Sequence, residues 1–457
     1  MKLLDLNFIC QTLGLSLPLE NRDVARIVTD SRDIRPGDVF FALVGERFDA
    51  HDFVAEVLAK GALAAVVSRE DCAALPGALA VNDTLQALQT LAKAWRSHRN
   101  PFVFGITGSS GKTTVKEMLA AVLRHNFGHD AVLATAGNFN NHIGLPLTLL
   151  KLNAQHRYAV IEMGMNHFGE LALLTRIAQP NVALVNNALR AHVGCGFSGI
   201  NDIAKAKSEI YQGLNANGLA LIPIEDANTA TFQTAAQGLE QQTFGINHGD
   251  IHAENIVLKP LSSEFDLVCG NERAAVTLPA PGKHNVCNAV AAAALAQAAG
   301  LRLQQISDGL SGFANIKGRL QIKRGIRNAT IIDDTYNANP DSMKVALDVL
   351  AQLPAPHVFV MGDMGELGET EAAAMHAEVG AYAREKGIEA AYFVGENSVE
   401  AAETFGATGL WFADKDPLIQ VLSHDLPEKA NVLIKGSRFM AMEEVVDSLI
   451  EKDEMPV

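Results

Sequence analysis

The sequence predicts an α/β protein of three domains. Three observations carry that expectation. At 457 residues the chain is long for one hydrophobic core, since domains average roughly 150 residues. Apolar, strand-like runs alternate with helix-like stretches over most of its length, the pattern of parallel sheets covered on both faces. A glycine-rich run, Gly105-Ile-Thr-Gly-Ser-Ser-Gly-Lys-Thr-Thr114, falls where a strand should hand over to a helix. The expected division is a small α/β domain over residues 1–83, a central domain over 84–314 on a P-loop ATPase-like parallel sheet, and a Rossmann-like α/β domain over 315–457.

In the first region Val39–Val44 and Ala64–Val67 read as strands and Phe53–Lys60 as a helix, punctuated by Arg35-Pro-Gly-Asp38 and Leu75-Pro-Gly77. A helix over Leu85–Arg99 ends at Asn100-Pro101 and leads into an apolar strand, Phe102–Ile106. Val115, Leu119, Val122 and Leu123 then recur at helical spacing. Tyr158–Met163 and Val182–Asn186 are further strands, and Ile203–Leu214 a helix. The Ala-rich run Val286–Leu301 reads as a buried helix, because Asn288, Gln297 and its short length exclude a membrane span. Near Ile316 a second α/β unit begins, with strands at Thr330–Asp333, His357–Met361, Ala391–Val394 and Val432–Ile434.

Composition narrows the function classes. The net charge of −15 argues against a nucleic-acid binder or a protein held on anionic membranes. The five cysteines are scattered without metal-finger spacing and fit reduced thiols. Asp5, Asn7 and Gln11 interrupt any signal-peptide core, so a cytoplasmic protein is expected.

In the glycine-rich run, Gly108, Ser109, Ser110 and Gly111 would turn backbone N–H groups toward phosphate oxygens at a helix N-terminus. Lys112 would reach the terminal phosphates, Thr113 would ligate Mg²⁺, and Thr114 would complete the turn. Position 106, where the usual spacing wants glycine, is Ile. The expected ligand is a nucleoside triphosphate. Glu162 ends an apolar strand, and an unpaired buried carboxylate is costly. It either caps a helix or pairs with an arginine, or it is a magnesium ligand facing the loop. By pattern alone His192 reads as a hydrogen-bonding loop histidine before it reads as a ligand, and Lys207 as a solvated helix lysine with Glu209 nearby.

Together, the loop, Glu162, His192 and the segment Ala206-Lys-Ser-Glu-Ile-Tyr211 resemble the Mur ligases, the ATP-dependent amide-forming enzymes of peptidoglycan synthesis. The resemblance extends through Gly137-Asn-Phe-Asn-Asn-His-Ile-Gly-Leu-Pro146 and Pro281-Gly-Lys-His-Asn-Val-Cys-Asn288, and it covers all three domains. It implies ATP, two Mg²⁺ ions held through Thr113, Glu162 and His192, and a CO₂-derived carbamate on Lys207. It also implies that Asn285 and Asn288 contact adenine or hold its pocket, and that Arg319, Asp334, Tyr336 and Asn339 close over ATP. Helix-capping and strand-ending roles stand as alternatives for these asparagines and aspartates.

Thr29-Asp-Ser-Arg32 and Phe40–His51 resemble the uridine-diphosphate-binding domain of the last two ligases of that pathway. Ser31, Arg32, Arg47, Asp49 and His51, with Asn138 and Asn141, are the substrate-binding candidates. Asp333–Ser342, Gly362–Gly368 and Lys435-Gly-Ser-Arg438 resemble the member that joins D-Ala-D-Ala to a UDP-N-acetylmuramoyl-tripeptide. The Asp-Asn-Pro-Arg motif of the preceding ligase is absent. Two departures stand out: no acid follows His192 by two positions, and Ala50 replaces a common glycine. The alternatives are that preceding ligase, a folylpolyglutamate-synthase-like enzyme, or an ATP-dependent switch. A monomer is expected, with no nucleic acid and no membrane among its partners.

Overall fold

A computed structural model describes residues 4–17, 20–45, 48–190, 196–314 and 317–451. The described residues carry three sheets, of four, nine and six strands.

The N-terminal sheet is wholly parallel, in the order Ile27–Val28, Val39–Phe41, Ala64–Val67, Ala78–Ala80. The strand read as Val39–Val44 stops at Phe41. The helix read from Phe53 begins as a 3-10 turn, Ala50–Phe53, and becomes α-helical over Val54–Ala59. Asp49 sets that turn by accepting from the backbone N–H of His51. The helix Thr84–Arg99 then ties this unit to the next. The Thr84 hydroxyl donates to the Ala42 carbonyl, the Trp95 indole to Leu152 and the Arg96 guanidinium to Ala178.

In the central sheet Phe102–Thr107 lies between Tyr158–Glu162 and Val182–Val185, all parallel. Two faces of helices bury it. Lys112–Phe127 and the Ala-rich Lys283–Ala298 pack on one side, and Val115, Leu119, Val122 and Leu123 are fully buried there. Alanines at 289, 291–294 and 296 have no exposed surface, so that helix fits close to its neighbours.

The sequence reading missed the far edge of this sheet, where Ile251–Leu258, Ser263–Cys269 and Glu272–Leu278 run antiparallel. A two-residue turn joins the last two, with Gly270 at φ +56°. Their alternation of buried and exposed residues is the signal of a sheet with one wet face. The helix expected over Ile203–Leu214 also differs: Ile200–Ser208 is α-helical and tightens into a 3-10 turn, Glu209–Gly213.

The C-terminal sheet has the order Gln321–Arg324, Thr330–Asp334, Asn431–Lys435, His357–Gly362, Ala390–Val394, Gly409–Phe412, with only the first strand antiparallel. No helix among the described residues is long and apolar enough to cross a membrane.

Candidate active site

The phosphate loop follows the strand Phe102–Thr107, third from one edge of the central sheet, and strand register brings its partners to it. Ile106 pairs with Glu162 across the neighbouring strand, so the acid emerges beside the loop. Glu162 is 2% exposed. Its two oxygens are taken by Thr113 Oγ1, which donates to Oε2 at 2.9 Å, and by Asn140 Nδ2, which donates to Oε1 at 2.9 Å. Its backbone N–H donates to Thr135 Oγ1 at 3.0 Å, and the buried Lys116 Nζ donates to the Thr135 carbonyl at 2.7 Å. The carboxylate is therefore held in one orientation beside the loop hydroxyl.

On the other flank, Asn186 and Asn187 grip the loop. Asn187 Oδ1 accepts from the Ser110 N–H, and the Asn186 amide donates to the Ser110 carbonyl, both at 2.9 Å. Asn186 also donates to Asn288 Oδ1 at 3.0 Å. The Ser109 hydroxyl donates to the Leu189 carbonyl. Gly111 adopts φ +79°, and a Cβ there would lie 2.3 Å from Asn288 Oδ1. Only glycine fits such an approach.

Lys112 Nζ donates to the Gly108 carbonyl at 2.6 Å. Burial lowers its pKa; Glu162 opposes the shift and Arg319 adds to it. Lys207 is 1% exposed on the helix Ile200–Ser208. Burial pushes its ammonium pKa well below the ordinary value, and the nearby Lys112 charge pushes the same way. It is not the solvated helix lysine of the alternative reading.

The C-terminal domain supplies the opposite wall. Arg319 Nη2 donates to Thr113 Oγ1 at 2.8 Å, and its guanidinium lies 4.2 Å from the Tyr336 ring centroid. Asp334 accepts from the Leu320 N–H and from Lys435 Nζ, the latter at 2.5 Å. Burial raises its pKa against the pull of Lys435. Asn339 caps the helix Pro340–Leu350 by accepting from the Ser342 N–H at 2.8 Å. A second link between the domains is Arg190, which reaches Asp341 at 2.7 Å and Glu378 at 3.0 Å.

Between these walls lies a cleft of about 1240 Å³. Ser109 to Thr114, Glu162, Asn138, Asn141, Asn285, Asn288, Arg319, Asp334, Tyr336 and Asn339 all line it. Gly108 shapes the loop behind it. Asn141 Oδ1 accepts from the Gly144 N–H at 2.8 Å, and the Asn285 amide donates to the Pro281 carbonyl.

The N-terminal candidates lie apart from this cleft. Arg32 is exposed and paired with Asp30 at 2.7 Å, in the same turn as Ser31. His51 is buried. Its Nδ1 meets Asp49 Oδ1 at 2.6 Å and its Nε2 accepts from the Ser68 N–H at 2.9 Å, so the ring is committed to holding its own loop. His192 and Arg47 lie outside the described residues.

Sequence reasoning passed over Asn140, Asn186, Asn187, Lys116 and Arg190. Asn186 and Asn187 follow a strand at the sheet's carboxyl edge, the same signal that singled out Glu162. Lys116 and Arg190 gave no such signal.

The chain is similar to three Mur ligase family models. The Mur ligase middle domain matches residues 106–296, the Mur ligase glutamate ligase domain 318–438, and the Mur ligase family catalytic domain 23–96. It is 42% identical to the UDP-N-acetylmuramoyl-tripeptide–D-alanyl-D-alanine ligase of Haemophilus influenzae, over 95% of both chains. The crystal structure of MurF from Acinetobacter baumannii superposes with a TM-score of 0.90 at 38% identity, covering 99% of this chain and 100% of the other. MurF from Thermotoga maritima in complex with ADP gives a TM-score of 0.82 at 27% identity, covering 93% of this chain and 96% of that one.

Proposed function

The chain belongs to the Mur ligase family, and on that premise we propose that it joins D-alanyl-D-alanine to UDP-N-acetylmuramoyl-tripeptide in an ATP-dependent reaction of peptidoglycan synthesis. The observation that carries the reading is the triad Arg319–Thr113–Glu162, at 2.8 and 2.9 Å, which joins two domains on the phosphate loop of a chain similar to this ligase over its whole length.

A carboxylate is a poor acyl donor because oxide is a hopeless leaving group. Transfer of the ATP γ-phosphoryl group to the tripeptide carboxylate gives an acyl phosphate. The dipeptide amine then attacks and phosphate departs. Phosphoryl transfer demands positioning and charge neutralisation more than covalent help. The loop N–H groups and Lys112 bind the phosphates, and Arg319 meets the developing charge from the opposite wall. Closing the domains keeps the acyl phosphate from water.

Thr113 Oγ1 and Glu162 Oε2 form a hard-oxygen pair, the donor chemistry that magnesium takes together with phosphate oxygens and water. When bound, the ion would offset phosphate charge and polarise the phosphoryl group. In the proposed second site His192 would be a ligand, with a carbamate on Lys207 orienting or ligating. The burial that lowers the Lys207 pKa raises the neutral fraction of its amine, the form that reacts with CO₂. Asn285 and Asn288 would hold the adenine pocket, with Asp334, Tyr336 and Asn339 on its far side. Ser31, Arg32, Arg47, Asp49 and His51 would serve the uridine diphosphate, and Asn138 and Asn141 would face the peptide. A monomeric, cytoplasmic enzyme completes the proposal.

The test is phosphate release from ATP with single omissions and a panel of amine acceptors. Release should require both the UDP-tripeptide and D-Ala-D-Ala, and diaminopimelate, lysine and glutamate should not replace the dipeptide. Turnover independent of any acceptor would favour a switch, and preference for diaminopimelate or lysine would favour the preceding ligase.

A further inference from the structure

Two C-terminal segments, Gly362–Gly368 and Lys435–Arg438, bring Gly365, Glu366, Leu367, Lys435 and Arg438 to the wall of the cleft that faces the phosphate loop. Each follows the carboxyl end of a strand, and those strands, His357–Gly362 and Asn431–Lys435, are parallel neighbours. Ligands gather at that edge of an open α/β sheet. Glycines let the two strand ends close up: a Cβ on Gly436 would lie 2.7 Å from Met442 and 3.2 Å from Gly362 Cα. Beyond them the loops are stitched together. The Gly365 N–H donates to Ser437 Oγ at 2.7 Å, and the Ser437 N–H to the Asp363 carbonyl at 3.0 Å. The two loops form one floor to the cleft.

Two cations stand on this floor. Lys435 is buried and spent on Asp334 and the Asn337 carbonyl. Arg438 is different: it lines the cleft with a side chain 62% exposed. The one hydrogen-bond partner of its guanidinium among the described residues is Glu443, which accepts from Nη1 at 2.6 Å. Glu443 roots the guanidinium from the first turn of the helix Glu443–Leu449. That leaves the Nε–Nη2 edge, the geometry that takes a carboxylate through two parallel bonds. Arg438 is near enough for its charge to act on the Tyr336 phenol, and Tyr336 lies under Arg319, which reaches Thr113.

The amine substrate of the proposed ligation carries its own carboxylate, which must be kept from the γ-phosphate so that only the tripeptide is activated. An extended dipeptide separates its ends by roughly 7 Å, so the carboxylate needs a cation set back from the phosphate loop. We propose that Arg438 determines acceptor specificity: its free guanidinium edge takes the terminal carboxylate of the D-Ala-D-Ala dipeptide, with Glu443 as the positioning residue, so that the amino end points toward Thr113 and Lys112. This rests on the ligase reading above.

The experiment compares D-Ala-D-Ala with its C-terminal carboxamide as acceptors for wild-type enzyme, R438A and E443Q. Wild type should prefer the acid by roughly 10- to 100-fold in kcat/KM, the worth of a charge-assisted pair. In R438A the KM for the acid should rise by that factor and the preference should collapse, while the KM values for ATP and UDP-tripeptide hold. E443Q should raise the acid KM by a smaller factor at unchanged KM for ATP. If R438A does not fold, R438Q and R438K carry the comparison, with R438K intermediate. A wild-type enzyme indifferent to the carboxamide, or an Arg438 variant that keeps the full preference, overturns the inference while leaving the ligase reading intact. A wild-type enzyme that does not use D-Ala-D-Ala at all overturns the ligase reading, and this inference with it.

Discussion

Arg319 of the C-terminal domain donates to the hydroxyl of Thr113 in the central domain at 2.8 Å, and that hydroxyl donates onward to Glu162. One oxygen thus joins the phosphate loop, the candidate metal carboxylate and the opposing domain. In the proposed reaction ATP held by the loop would meet Arg319 from the opposite wall of the cleft.

Replacing Arg319 by Ala should therefore lower kcat at least 100-fold, the usual cost of losing one donor to transition-state charge, with little change in the KM for UDP-tripeptide. Thr113→Ala should be worse, because it would also remove a proposed magnesium ligand. Steady-state kinetics with each substrate varied in turn checks both. Equal losses in every KM would point to misfolding instead.

Gly111→Ala tests the packing of the loop. The φ of +79° and the 2.3 Å approach to Asn288 leave no space for a methyl group. Left-handed backbone costs a non-glycine residue about 1–2 kcal/mol, and the displaced Asn288 releases its bond to Asn186. The KM for ATP should rise tenfold or more, while Gly312→Ala, with nothing closer than 3.6 Å, should be mild.

Lys207→Ala should abolish most activity. Bicarbonate should not restore it, whereas acetate, which mimics the carbamate oxygens, should do so in part. Carbamylation requires the neutral amine, whose fraction grows as pH rises through the lowered Lys207 pKa. Dependence of wild-type activity on added bicarbonate should therefore be steeper at lower pH. A ¹³C carbamate resonance from labelled bicarbonate, lost in K207A, is the direct readout. Near-normal turnover of K207A would end the proposal.

Arg190 is a latch between domains, held by Asp341 and Glu378, with Lys344 sharing Glu378 at 2.5 Å. These groups are partly exposed, so the net value of the latch is about 1 kcal/mol after screening. Arg190→Ala should expand the ATP-free protein in small-angle scattering and raise the KM for ATP severalfold. Arg190, and then Lys344, hold the Glu378 carboxyl below its ordinary value. That contribution is complete above the unperturbed glutamate pKa of about 4.3 and is lost only as pH falls through the lowered one. The latch should thus respond to salt near pH 7, but not to pH between about 5 and 8.

Much of the site was legible because its chemistry is local. The loop from Gly108 to Thr114 needs a fixed order of small, cationic and hydroxyl residues immediately after a strand, and that order is visible in one dimension. Glu162 was legible as an acid at a strand end, where burial without a partner would be costly. Lys207 stood out only through the family resemblance: a buried lysine and a solvated one can carry the same helical spacing, and only packing distinguishes them. Asn140, Lys116 and Arg190 act through partners distant along the chain, and their residue types alone imply no partner. For His51, a substrate-binding candidate, only packing shows that the ring is held between Asp49 and the Ser68 N–H.

By itself the sequence determined the α/β alternation, the phosphate loop and the residues able to meet phosphate and magnesium, because backbone periodicity and local chemistry fix these within a few residues. The tertiary structure decided which of them meet. Strand register puts Ile106 beside Glu162, and domain packing carries Arg319 across 206 positions of chain to Thr113. Burial then lowers the Lys207 pKa where spacing alone left it an ordinary surface lysine. Contact, desolvation and orientation arise only when distant segments exclude water together, and no single segment encodes them.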